Sequence, residues 1–135
     1  MITALHALLY SEDPPATRAF FRDVLGWPYL EDANSEPGWL IFRSGPSELG
    51  VHPSSWTYEG QRTSVPIHHE VSLMCDDLTA TMKELSDKGA EFSGEPVDEG
   101  YGLMIKLRIP AAGEVLLYQP SYQPSYNIEE RVSGG

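Results

Sequence analysis

One pattern is written twice along this chain, about 64 residues apart. His6-Ala-Leu-Leu-Tyr-Ser-Glu-Asp13 aligns with Glu70-Val-Ser-Leu-Met-Cys-Asp-Asp77, Gly26 with Gly89, and Gly38-Trp-Leu-Ile-Phe42 with Gly102-Leu-Met-Ile-Lys106. Glu48-Leu-Gly-Val-His-Pro53 then answers to Glu114-Val-Leu-Leu-Tyr-Gln-Pro120. A repeat of this length marks one supersecondary unit built twice, because a single copy cannot bury its own apolar face. Two such units, related by a pseudo-twofold axis, can line a shared cavity with equivalent positions.

Each copy carries the same punctuation. Ile2 to Tyr10 alternates apolar residues as a half-buried strand does. Asp13-Pro-Pro offers a capping carboxylate and prolines in a first helical turn, where a missing N–H costs nothing. Ala16, Phe20 and Val24 follow helical spacing up to Gly26, a residue that tolerates a left-handed stop. The second copy repeats this with Asp76 or Asp77 as cap, Leu78, Met82 and Leu85 as the apolar stripe, and Gly89 as stop. Three strands should follow each helix: near 27–31, 39–43 and 49–52, then near 91–92, 103–109 and 115–118. The sequence therefore predicts an α+β fold of two βαβββ modules, with a curled mixed sheet around a cleft and the helices outside. The modules are expected at 1–56 and 66–121 of a single domain, 1–121. Polar residues with Gly60 make 57–65 the linker, and 122–135 a C-terminal tail expected to be mobile.

Composition removes several function classes. Twenty acidic residues against nine basic ones give a net charge of −11, the wrong sign for neutralising nucleic-acid phosphates. No apolar run approaches bilayer-spanning length, so no membrane partner is expected. A lone cysteine, Cys75, allows no intrachain disulfide and suggests a cytoplasmic location. Phosphate-binding loops and serine-nucleophile motifs are missing too.

The paired β-α-β-β-β pattern, the spacing from His6 to Asp13, and Ala19-Phe-Phe-Arg-Asp-Val-Leu-Gly26 resemble the vicinal oxygen chelate superfamily. That superfamily includes glyoxalase I, extradiol dioxygenases, fosfomycin-resistance enzymes and metal-free bleomycin-binding proteins. The resemblance spans residues 1 to 120. It implies a cleft in which catalytic members hold a divalent metal through first- and last-strand residues of each module. On this chain those positions nominate His6, Glu70, His52 and Glu114 as metal ligands, with Glu48 an alternative. Such oxygen and nitrogen donors suit Zn, Ni, Mn or Fe. Glu114 and Glu70 would also move the proton in catalysis.

The sequence departs from the family where its last strand usually carries a mid-strand glutamate. Leu116 and Leu117 stand there, and Glu114 comes earlier. Side chains alternate along a strand, so Glu114, Leu116 and Tyr118 share one face, as do Glu48, Gly50 and His52. Glu48, Trp56 and Tyr118 are the expected substrate-pocket residues, with Trp27, Trp39 and Tyr101 as further aromatic candidates. His68 and His69 are adjacent, so at most one can join the cleft. Two functions of different class stay open. One is a metal-dependent lyase, isomerase or dioxygenase acting on a substrate with vicinal oxygens. The other is a metal-free binding protein that sequesters a cationic small molecule, which the acidic charge allows. A ligand-sensing module is a third. In each reading the partner is a small molecule and the protein is expected to be a homodimer.

Overall fold

Both helices begin on a carboxylate and end on a glycine. In the computed structural model, which describes residues 1, 4–35 and 37–128, α1 (Pro14–Ala19) is capped by Asp13, whose carboxylate accepts the Ala16 N–H. It continues as a π-helical turn, Phe20–Val24, and the chain leaves through Gly26 at φ +70°. In the second copy α2 (Leu78–Asp87) is capped by Asp77, which accepts the Ala80 N–H at 3.0 Å, and the chain leaves through Gly89 at φ +94°.

Eight strands accompany the helices: β1 (Tyr29–Glu31), β2 (Leu40–Phe42), β3 (Ser55–Tyr58), β4 (Gln61–Ser64), β5 (Ser72–Met74), β6 (Phe92–Asp98), β7 (Gly102–Arg108) and β8 (Glu114–Pro120). The second copy completes its β-α-β-β-β unit as a four-stranded mixed sheet in the order β5-β8-β7-β6. The β5–β8 pair is parallel and the other two are antiparallel. Alternation sorts the two faces of this sheet. Leu73, Ile105, Leu107, Val115 and Leu117 pair across strands on the face that meets the helices. There they join Phe20, Phe21, Leu78 and Leu85 in one core, with Leu107 fully buried. Burying a side chain of that size contributes roughly 1.5–3 kcal/mol relative to leaving it exposed. Glu114, Leu116 and Tyr118 occupy the opposite, open face, as the sequence predicts, with Met104 and Lys106 beside them.

The first copy departs from expectation in its strands. β1 and β2 pair with each other, but residues 4–10 and 47–53 pair with no strand among the described residues. Ile2 and Thr3 of the expected first strand lie outside the described residues. Residues 4–10 contain no β-branched side chain, and 47–53 contain Gly50 and Pro53, which weaken a strand and remove a ladder donor. The expected linker 57–65 is also different: it lies in the β3–β4 hairpin. Glu59 and Gly60 both take positive φ, 50° and 77°, as a two-residue hairpin turn of this hand requires. First-copy α1 is fixed to the second copy by Thr17, whose hydroxyl donates to the Pro110 carbonyl at 2.6 Å. Of the tail 122–135, residues 129–135 lie outside the described residues. The described part turns at Ser125–Asn127 and bonds to Glu48.

Candidate functional site

β8 carries the site's anchor. Tyr118 stands on the open face opposite Met104, and its hydroxyl lies 3.1 Å from Glu48 Oε1 and 2.8 Å from the Tyr122 hydroxyl. Tyr122 donates to the same carboxylate oxygen at 2.5 Å, and the Ser125 N–H donates to Glu48 Oε2 at 3.1 Å. Glu48 thus accepts from several donors at once. The hydrogen bond from Tyr122 is the main reason its carboxyl titrates below the usual range, and the Ser125 N–H acts in the same direction. Burial, then the bonds to Tyr122 and Glu48, push the Tyr118 phenol well above its ordinary value. Its bond to Glu48 pushes the Tyr122 phenol up as well.

A cavity of about 530 Å³ opens beside this cluster. Met74, Cys75 and Asp76, at the end of β5, form one wall, and Pro120, Tyr122, Pro124 and Tyr126 form the other. The Cys75 thiol points its proton at the Tyr118 carbonyl, 3.7 Å away, and burial pushes its pKa up, so it is a poor nucleophile. Among the described residues no lysine or arginine lines the cavity. Two tyrosine rings, two prolines, two sulfur side chains, one carboxamide and one carboxylate give it a wall of mixed polar and apolar character with a negative accent.

The expected site residues divide into those gathered here and those dispersed. Glu48 and Tyr118 meet directly. Trp56 stacks its edge against His52, with ring centroids 4.9 Å apart, while His52 Nδ1 sits 2.7 Å from the Pro53 carbonyl. Glu70 pairs with His68, a bond that helps raise the histidine's pKa after the larger effect of the Pro66 carbonyl. Glu114 accepts from the Ser93 hydroxyl and stands opposite Arg108 in register. His6 is exposed on residues that join no sheet. Among the described residues no three His, Cys, Asp or Glu side chains lie close enough to share a metal ion. As these side chains stand, His6, His52, Glu70 and Glu114 do not fit the divalent metal that the resemblance implies. Of the other aromatics, Tyr101 packs edge-on against Tyr118, and Trp39 lies under the Arg18 guanidinium, 4.8 Å from its ring centre.

Sequence reasoning missed Tyr122, Asp76 and Tyr126. The one available signal was Pro120-Ser-Tyr-Gln-Pro-Ser-Tyr126, a tandem echo that spaces two tyrosines and two prolines evenly.

A family model described as the glyoxalase/bleomycin resistance protein/dioxygenase superfamily matches residues 3–109. The chain belongs to that superfamily. Solved structures agree on the fold. A superfamily member from Sphaerobacter thermophilus superposes with a TM-score of 0.59 at 21% identity, covering 87% of this chain and 97% of its own. TnmS3, an antibiotic binding protein from Streptomyces sp. CB03234, gives 0.57 at 20% identity, over 90% of this chain and 100% of its own. An integron cassette protein from the mobile metagenome of V. cholerae gives 0.52 at 20% identity, over 87% and 98%. No curated protein matches the chain in sequence. At such identities the likeness is one of fold, and this superfamily fold hosts many chemistries. Among the described residues, no helix is long and apolar enough to cross a membrane.

Proposed function

We propose that this superfamily member binds a small organic cation in the cavity between the end of β5 and the segment after β8, without a metal. The observation that carries the reading is the cavity's wall: Tyr122, Tyr126 and Asp76 face a space that no basic side chain lines among the described residues, and the Glu48 carboxylate stands behind Tyr122. Tyrosine faces attract cations through the ring quadrupole by about 0.5–2 kcal/mol, depending on desolvation. A carboxylate at the same wall adds charge attraction, and the net charge of −11 raises the local concentration of cations. TnmS3, which shares the fold, is described as an antibiotic binding protein, and sequestration of a cationic small molecule is the role we assign here. The alternative, a metal-dependent lyase, isomerase or dioxygenase, would need His6, His52, Glu70 and Glu114 to be drawn together from separate places.

Calorimetric titration with benzyltrimethylammonium, using benzoate as the anionic control, tests the reading. The cation should bind, more weakly as salt is added, and a chelator should leave the affinity unchanged. Asp76→Asn and Tyr126→Ala should each weaken it. Equal binding of benzoate, loss of binding with chelator, or stoichiometric metal by elemental analysis would each overturn it.

We also propose a homodimer, working in a reducing cytoplasm. Leu5, Leu49 and Val51 are 64%, 79% and 93% exposed, apolar surface that a second copy would cover. Sedimentation should show a dimer that Val51→Asp weakens; a monomer at all concentrations would end this part of the proposal.

A further inference from the structure

Among the described residues, hydrogen bonds hold the segment after β8 to the rest of the molecule in two places. At its start, the Ser121 N–H donates to the Tyr101 carbonyl at 2.9 Å, and the Ser121 hydroxyl donates to the Gly100 carbonyl at 2.8 Å. These tie it to the turn between β6 and β7. Beyond Ser121, all hydrogen bonds between residues 122–128 and the other described residues end on Glu48 or on the Tyr118 hydroxyl. From the end of β8 onward, Pro120, Tyr122, Pro124 and Tyr126 take every second position and line the cavity. The remaining bonds of the segment are internal, from Asn127 N–H to Pro124 and from Ile128 N–H to Ser125.

We infer that residues 121–128 form a strap over the cavity, hinged at Ser121 and clasped by Glu48, so that entry to the cavity requires the clasp to release. The inference rests on the proposed binding site, since it assigns that site its gate. Three features make a strap of this segment. Its internal turn and Pro124 keep it stiff, so it moves as a unit. Beyond the hinge its hydrogen bonds to the other described residues end on the Glu48 carboxylate and on the Tyr118 hydroxyl, itself bonded to Glu48, so losing that carboxylate removes most of the grip. That carboxylate belongs to residues 44–53, which pair with no strand among the described residues and can shift without breaking a sheet. Low local stability of this kind is where lids are found.

Cys75 provides a readout that needs no ligand. It is the only cysteine of the chain, it lines the cavity beneath the strap, and it is half-buried. Alkylation of the full chain by N-ethylmaleimide should therefore be slow and limited by strap opening. Tyr122→Phe keeps the ring but deletes the shortest clasp bond. It should speed alkylation roughly tenfold, because a hydrogen bond to a charged group is worth about a decade or more in an equilibrium constant. Thr17→Val supplies the control, since it removes the bond to Pro110 and destabilises the chain without touching the strap. Its alkylation should stay near the wild-type rate. Equal acceleration in both variants would mean global opening, and no acceleration in Tyr122→Phe would mean no clasp; either result overturns the inference. Hydrogen exchange on the wild-type chain needs no variant. The Ser125 amide, bonded to Glu48, should exchange more slowly than that of Gln123, and equal rates would overturn the inference. Failure of benzyltrimethylammonium to bind would sink the binding reading while leaving the alkylation result standing.

Discussion

The two halves of this chain carry the same pattern and realise it to different degrees. In the second half, β5, β6, β7 and β8 join in one sheet whose inner residues are nearly sealed: Leu107 is 0% exposed and Leu117 3%. In the first half residues 4–10 and 47–53, which answer to the β5 and β8 regions, pair with no strand among the described residues. Val51, one of their apolar residues, is 93% exposed. The difference lies in side chains. Glu114-Val-Leu-Leu-Tyr-Gln119 gives an unbroken run before Pro120, whereas Gly50 interrupts the equivalent run Glu48-Leu-Gly-Val-His52 before Pro53. A shared pattern sets the order of elements; local composition decides which of them can close a ladder unaided.

The sharpest way to break this comparison is to cut matched side chains in the two halves. Leu107→Ala should cost about 2–5 kcal/mol, since the side chain is fully buried and the sheet cannot collapse onto the cavity. Val51→Ala should stay within about 0.5 kcal/mol in dilute solution, as exposed positions do. Urea unfolding at two protein concentrations measures both. In the homodimer proposed above, the cost of Val51→Ala grows with protein concentration while that of Leu107→Ala holds. Equal, concentration-independent costs at the two positions would show the halves to be equally packed.

A smaller effect tests what the halves share. Gly26 and Gly89 both take positive φ, and a Cβ added at either would meet nothing within 4 Å. Alanine at each should therefore cost only the backbone penalty, about 1–2 kcal/mol, and the two costs should match. A much larger loss at Gly26 would mean that the first helix stop supports more than its own turn.

These positions also show what the sequence makes legible. Asp13, Asp77, Gly26 and Gly89 act through their own local chemistry, so caps and stops can be read directly. The face shared by Glu114, Leu116 and Tyr118 follows from strand alternation, which is equally local. The β3–β4 hairpin was hidden because its strands are polar, although Trp56, Tyr58 and Thr63 around Glu59-Gly60 are strand formers in hindsight. The ligand cluster expected from His6, His52, Glu70 and Glu114 depends on long-range closure of both halves, and spacing along a chain carries no measure of that. Glu48 and Tyr118, both expected at a substrate pocket, meet directly, though neither lines the cavity beside them; the part of Tyr122 and Ser125 in that contact could not be read, because it depends on where the chain goes after its last strand.

Glu48 is also where the two halves touch through titratable groups, and pH should test that contact with the smallest effect of the set. Its carboxyl titrates lower in the folded chain than in the unfolded one, chiefly because Tyr122 donates to it. Its contribution is thus complete above the ordinary glutamate value of about 4.3, and is lost as pH falls through the lowered one. Tyr118 and Tyr122 shift the other way, Tyr118 chiefly through burial and Tyr122 through its bond to Glu48. Their contribution is complete below the ordinary phenol value of about 10, and is lost as pH rises through the raised ones. Contact between the halves should hold from pH of about 4.3 to about 10 and loosen on either side. The loss should be modest, because Glu48 is only part-buried and solvent screens much of the attraction. Alkaline titration of phenolate absorbance reads the upper limit directly. A late-ionising component should appear in the wild-type chain and shrink in Tyr118→Phe. Superimposable titration curves for the two proteins would show that Tyr118 is not held by Glu48, and the junction between the halves would have to be sought elsewhere.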